Sequence, residues 1–242
     1  MSNPVNQSPE DSENSDGRVL TIPVGDRAAF EDACARASAD EAIRAAVIVL
    51  NGEGSGSDLV DPGTPATLAA LLVPVVVSLS GQIDDRALEL ALAADVRICD
   101  TKTTFAMNSA SKAGNGQLPS DGGTQRLPRI VGPGLATDML LTGRRITAEE
   151  ALLAGLVTEI CPAGESKTRA EQLANEIASH GRSAGRFTKE AVLKGADMSL
   201  EQSLRLEADL AILLHTDPER VEGIDAFNTR RKPDFRQEDG SK

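Results

Sequence analysis

Three short stretches carry residue types that could do chemistry. Glu89 sits in the run Leu88-Glu89-Leu90-Ala91-Leu92. A carboxylate buried among aliphatic side chains holds its proton more tightly, which suits general acid–base work. The competing reading is a surface pair between Arg86 and Glu89, three residues apart on one helix face. Asp121 stands before Gly122-Gly123 at a predicted helix start, where it reads either as a second acidic group or as an N-cap. The segment Ser55-Gly56-Ser57-Asp58-Leu59 has side chains small enough for a ligand to approach the backbone, or it is a flexible turn.

Other chemistries find no support in the sequence. It shows no Ser-His-Asp nucleophile system, no metal-ligand spacing and no dinucleotide fingerprint; Gly114-Asn115-Gly116 lacks the strand-to-helix context that such a fingerprint needs. His180 and His215 fall in late helical stretches and read as surface or interface residues. Cys34, Cys99 and Cys161 each lie in an apolar pattern and read as buried free thiols, so a reducing cytoplasm is the expected compartment. The net charge of −12 and the absence of Trp and Tyr argue against a nucleic-acid partner, which calls for a basic stripe and stacking platforms. No apolar run reaches the ~20 residues that span a bilayer, and no basic, then apolar leader opens the chain.

The elements that must position these residues follow from hydrophobic periodicity. Residues 1–17 are polar and acidic, and read as a disordered tail. A strand is expected at 18–23, and a helix capped by Asp26 runs to about residue 38 with Phe30, Ala33, Cys34 and Ala37 on one face. Continuous apolar runs at 45–50, 73–79 and 96–99 predict buried strands, with helices starting at Thr64 and spanning 84–94. Strands that are apolar on both faces and alternate with helices predict a parallel sheet covered on both sides, hence an α/β fold. From Asp121 onward helices dominate, broken by Gly132-Pro133-Gly134 and by a strand at 156–161. Residues 200–215 carry Leu204, Ala208, Ala211 and Ile212 on one stripe. A last helix at 218–229 ends in Arg230-Arg231-Lys232-Pro233.

Several stretches, in order, resemble the enoyl-CoA hydratase/isomerase (crotonase) superfamily. They are residues 89–98, the run Gly122-Gly123-Thr124-Gln125-Arg126-Leu127-Pro128-Arg129-Ile130-Val131-Gly132, residues 141–162 with Leu141-Thr142-Gly143-Arg144-Arg145-Ile146, and the ending Gly223-Ile224-Asp225-Ala226-Phe227 with Arg231-Lys232-Pro233-Asp234-Phe235. The resemblance covers roughly residues 44–236. It implies a ββα-superhelix core over 18–195, a C-terminal helical trimerisation region over 196–242, and assembly as a homotrimer or a dimer of trimers. The implied ligand is an acyl-CoA thioester, with CoA entering as part of the substrate and no separate cofactor. Arg231 and Lys232 become candidate CoA contacts.

The resemblance also assigns roles. Family chemistry needs two backbone N–H groups that hold the thioester oxygen as it gains enolate charge, each commonly worth ~3–4 kcal/mol of the barrier. Ser57 takes the place of the loop donor and Arg86 that of the helix donor. Where the family has three glycines, this chain has Asp85-Arg86-Ala87. Asp84 and Asp85 are good N-cap and first-turn residues, so an ordinary capped helix is the expectation set against an open anion site. Glu89 matches one of two family glutamates. The place of the other falls on Ser109, in a stretch without a carboxylate from 101 to 120, which makes Asp121 the nearest acidic group. Two functions follow: an isomerase-like acyl-CoA enzyme with Glu89 as its acid–base group, or a non-catalytic relative that binds CoA ligands or serves as an accessory subunit.

Overall fold

The structure, a computed structural model, describes residues 17–52, 60–108, 117–231, 233 and 235. All of the N-terminal tail but Gly17, and Ser57, Ser109 and Lys232, lie outside the described residues.

The chain begins β1 (Val19–Ile22), α1 (Arg27–Ala39), β2 (Ala45–Gly52), α2 (Thr64–Ala69), β3 (Val75–Asp84), α3 (Asp85–Ala93), β4 (Val96–Asp100) and β5 (Thr104–Ala106). It continues with α4 (Gly123–Val131), α5 (Pro133–Thr142), β6 (Ile146–Thr147), α6 (Ala148–Leu153), β7 (Glu159–Cys161), α7 (Ser166–Ala178), α8 (Arg182–Gly195), α9 (Leu200–His215) and α10 (Pro218–Thr229). The main sheet runs β1-β2-β3-β4-β7, with every pair parallel.

β2 shows why this sheet is two-sided. Ala46, Ile48 and Leu50 join one core with Phe30 of α1 and Leu88 of α3, while Ala45 and Val47 join another with Ala170, Ala174 and Ala178 of α7. Alternation along the strand thus feeds two apolar layers, and the run has no polar face. The α/β architecture expected from the sequence is the one observed. His180 departs from expectation: it lies between α7 and α8, not within a helix.

β3 does more than its sequence suggested. Its first half pairs with β2 and β4; past Gly81, with φ of 74°, its second half turns to pair with β5. β5 in turn pairs antiparallel with β6. The close packing of this turn is enforced at Gly52, where an added Cβ would sit 2.1 Å from the Gln82 carbonyl oxygen. The end of β3 therefore delivers Asp84 and α3 to a small second sheet, away from the main one.

The late helices pack sparsely within the single chain. α8 buries no residue, α9 buries Leu210 and α10 buries Ala226, while Leu200, Leu204, Ile212, Val221, Ile224 and Phe227 stay exposed.

Candidate active site

α3 is buried continuously from Ala87 to Ala93, so Glu89 has no solvent-facing option and is 3% exposed. Arg97 anchors the far end of this helix: its guanidinium donates to the carbonyls of Ala94 at 2.7 Å and Ala91 at 3.5 Å, and to that of Leu156 at 2.6 Å. The Ala94 carbonyl, just past the helix end, thus finds a cationic partner, as does that of Leu156.

The Glu89 carboxylate is held from the opposite side. Its Oε1 accepts the N–H of Asp121 at 2.9 Å and that of Gly123 at 2.8 Å. Gly122, in the left-handed conformation with φ of 107°, is the N-cap of α4, so Glu89 meets the positive end of that helix. Gly123 must lack a side chain: a Cβ there would lie 3.0 Å from Glu89 Oε1 and 2.9 Å from Pro119 Cβ. The expected Arg86–Glu89 pair is absent, because burial turns Glu89 inward while Arg86 is exposed.

Two effects compete for the Glu89 proton. The two N–H bonds favour the anion, but desolvation outweighs them, and the nearby charges of Asp121 and Asp85 add to it, so the pKa is raised above the ordinary glutamate value. A carboxyl that holds its proton more tightly than an ordinary glutamate is the outcome.

Asp121 is not the N-cap. Gly122 takes that position, and Asp121 Oδ1 instead accepts the Gly63 N–H at 3.1 Å. Its Oδ2 is buried without a hydrogen-bond partner among the described residues. The Gly63 bond ties the N-terminus of α2, which follows the segment carrying Ser57, to the start of α4. The structure thus brings Glu89 and Asp121 together.

The capped-helix expectation for α3 is overturned. Asp84 is the N-cap residue but its side chain makes no capping bond. Asp84 Oδ2 receives Arg145 Nη2 at 2.6 Å, and Asp85 Oδ1 accepts the Asn108 N–H at 2.6 Å. Both carboxylates accept donors from the β5–β6 side, and Asp85 adopts a φ of 40°, positive backbone that aspartate enters more readily than most residues but less freely than glycine. Neither Asp84 Oδ2 nor Asp85 Oδ1 is directed at the first turn of α3, in which Arg86 is the second residue.

The remaining candidate, Arg231, is engaged by the preceding helix α10: Nη2 lies 2.8 Å from Glu222 Oε2 and 2.8 Å from Asp225 Oδ2. Among the described residues no group of three or more His, Cys, Asp and Glu could hold a metal ion, and no helix is long and apolar enough to cross a membrane. Sequence reasoning missed Gly123, Gly63, Asn108 and Arg145. The paired glycines before α4 were a usable signal for the first; nothing in spacing marked the others.

The enoyl-CoA hydratase/isomerase family model matches residues 66–238. The chain is 34% identical over 220 residues to (E)-benzylidenesuccinyl-CoA hydratase of Thauera aromatica, covering 84% of this chain and 85% of that protein. It is 36% identical over 171 residues to 2,3-dehydroadipyl-CoA hydratase of Escherichia coli (strain K12), covering 71% of this chain but 66% of that protein, just under two thirds of its length. In three dimensions it is similar to the enoyl-CoA hydratase from Bacillus anthracis, with a TM-score of 0.76, 27% identity, and coverage of 85% and 86%.

Proposed function

The chain belongs to the enoyl-CoA hydratase/isomerase family, and we propose that it is an acyl-CoA enzyme that holds a thioester enolate and moves a proton with Glu89. The thioester oxygen would take the N–H of Arg86 and that of Ser57. Glu89 would remove a proton from the acyl chain and return it at another carbon, shifting a double bond. Asp121 supports the raised proton affinity of Glu89 through its charge. One carboxylate relaying a proton suits this isomerisation better than water addition, which benefits from two groups orienting the water.

The observation that carries the reading is Glu89 itself: buried, gripped by two N–H groups, and one turn into a helix that the Asp84 side chain does not cap. The experiment compares crotonyl-CoA hydration with 3-enoyl-CoA isomerisation for the wild type and Glu89→Gln. Isomerisation that exceeds hydration and depends on Glu89 supports the proposal; hydration as the faster reaction overturns its isomerase part.

A second reading, a CoA-ligand binder without turnover, draws on Asp85 at positive φ and on Arg86 at the place where the family resemblance implies a glycine. Binding of crotonyl-CoA with no reaction in either assay would favour it. In the proposed assembly, a homotrimer or dimer of trimers, the exposed apolar residues of α9 and α10 would be covered by neighbouring copies. Arg231 and Lys232 would contact CoA phosphates, Arg231 by exchanging its carboxylate partners. The proposed compartment is the cytoplasm, and no cofactor besides substrate CoA is proposed.

A further inference from the structure

Among the described residues three helices have an aspartate at the N-cap in extended backbone conformation, and one of the three behaves differently. Asp26 accepts the N–H groups of Ala28 and Ala29, and Asp217 accepts that of Glu219. Asp84, with φ −118° and ψ 153°, has the same opportunity at the start of α3 and makes no such bond. An N-cap carboxylate ordinarily accepts from the second or third helical residue, here Arg86 or Ala87. Its own φ and ψ permit this, although Asp85 after it stands at φ 40°, and the side chain is drawn elsewhere.

The small second sheet supplies that pull. Asp84 pairs with Ala106 of β5, and Phe105 pairs with Ile146 of β6. Continuing the second register by one residue sets Arg145 across from Ala106. Asp84, Ala106 and Arg145 therefore lie in one row across three strands, with side chains toward the same face. The central residue is an alanine, over which a long guanidinium side chain can pass. Arg145 Nη1 rests on Thr104 Oγ1 at 3.1 Å, two residues along β5 on that face, and Nη2 reaches Asp84 Oδ2 at 2.6 Å. The other oxygen, Asp84 Oδ1, is buried without a hydrogen-bond partner among the described residues. Pairs as exposed as this one contribute little to stability. What the pair decides is where a carboxylate points.

We propose that Arg145 is a positioning residue that withholds Asp84 from the first turn of α3 and so keeps the Arg86 N–H open for an acyl oxygen. With Arg145 removed, Asp84 would fall back to its default, capping the turn and placing a negative charge where the enolate needs a donor. The inference rests on the acyl-CoA reading for its consequence, but its structural half stands alone.

The test uses Arg145→Gln, Asp84→Asn and the double variant, with two readouts. Amide hydrogen exchange at Arg86 and Ala87 needs no activity: it slows about fivefold or more in Arg145→Gln, the gain expected of a new N-cap, and returns to wild-type rates in the double variant. Turnover of the acyl-CoA substrate falls ~10²-fold in kcat for Arg145→Gln, the loss typical of one missing oxyanion donor, with KM little changed, and is rescued by adding Asp84→Asn. Unchanged exchange in Arg145→Gln overturns the inference, as does a loss of turnover that Asp84→Asn fails to rescue. A wild type without turnover sinks the acyl-CoA enzyme reading while the exchange data still decide the capping. Should Arg145→Gln not fold, Arg145→Met, with a stem of similar length, takes its place in both measurements.

Discussion

The carboxylate of Glu89 accepts the N–H of Gly123 at 2.8 Å, across 34 residues of sequence. That contact joins the buried middle of α3 to the positive end of α4, and it places an ionisable group where burial and hydrogen bonding pull its proton affinity in opposite directions.

Glu89→Gln keeps an oxygen for both N–H donors, so the fold is expected to survive. Turnover falls ~10²–10⁴-fold, the range for loss of a general acid–base group. Steady-state kinetics with crotonyl-CoA and a 3-enoyl-CoA, beside thermal unfolding, separate the two effects.

The raised pKa of Glu89 has a definite sign for stability. The folded state holds this proton more tightly than the unfolded chain, so the contribution is fully present below the ordinary glutamate value of 4.5 and is lost as pH climbs through the raised folded value. Stability measured against pH should therefore decline over that window in the wild type and flatten in Glu89→Gln. The acid limb of kcat/KM should lie above 4.5, since proton removal needs the ionised form.

Gly123→Ala puts a methyl group 3.0 Å from Glu89 Oε1, 2.9 Å from Pro119 Cβ and 3.0 Å from Met107 Cε. Three crowded neighbours cannot all yield, and overpacking of this kind costs ~1–3 kcal/mol. Chemical denaturation reads the cost; a simultaneous fall in kcat shows that Glu89 has been pushed off its two donors.

Asp121→Asn retains an oxygen for the Gly63 N–H and removes a like charge near Glu89. The expected result is a wild-type melting temperature with the acid limb of the rate profile moved to lower pH. Asp121→Ala also frees the Gly63 N–H and should destabilise by ~1 kcal/mol. An unmoved limb in Asp121→Asn would show that its charge does not reach Glu89.

Arg97→Met removes the cation that satisfies the carbonyls of Ala91, Ala94 and Leu156. Charge-assisted bonds lost at a buried helix end predict a destabilisation of about 3 kcal/mol or more, measurable by denaturant unfolding.

Much of this was readable before any coordinates. Apolar runs without a polar face announced strands covered on both sides, because alternation can feed two cores at once, as Ala46 and Val47 of β2 do. Glu89 announced itself because a lone carboxylate between leucines has nowhere polar to go unless the fold supplies it. Paired glycines before Thr124 marked a place where backbone comes close to something.

Tertiary structure alone decided what those features do. Composition around Asp84 and Asp85 spoke for a capped and closed helix start, since local hydrogen bonding is all that neighbouring residues can promise. The opposite outcome depends on Arg145, 61 residues away, which reaches Asp84 because β3 bends at Gly81 and β5 lies between them. Which oxygen a donor finds is a matter of distance in space, and strand pairing between remote segments sets that distance.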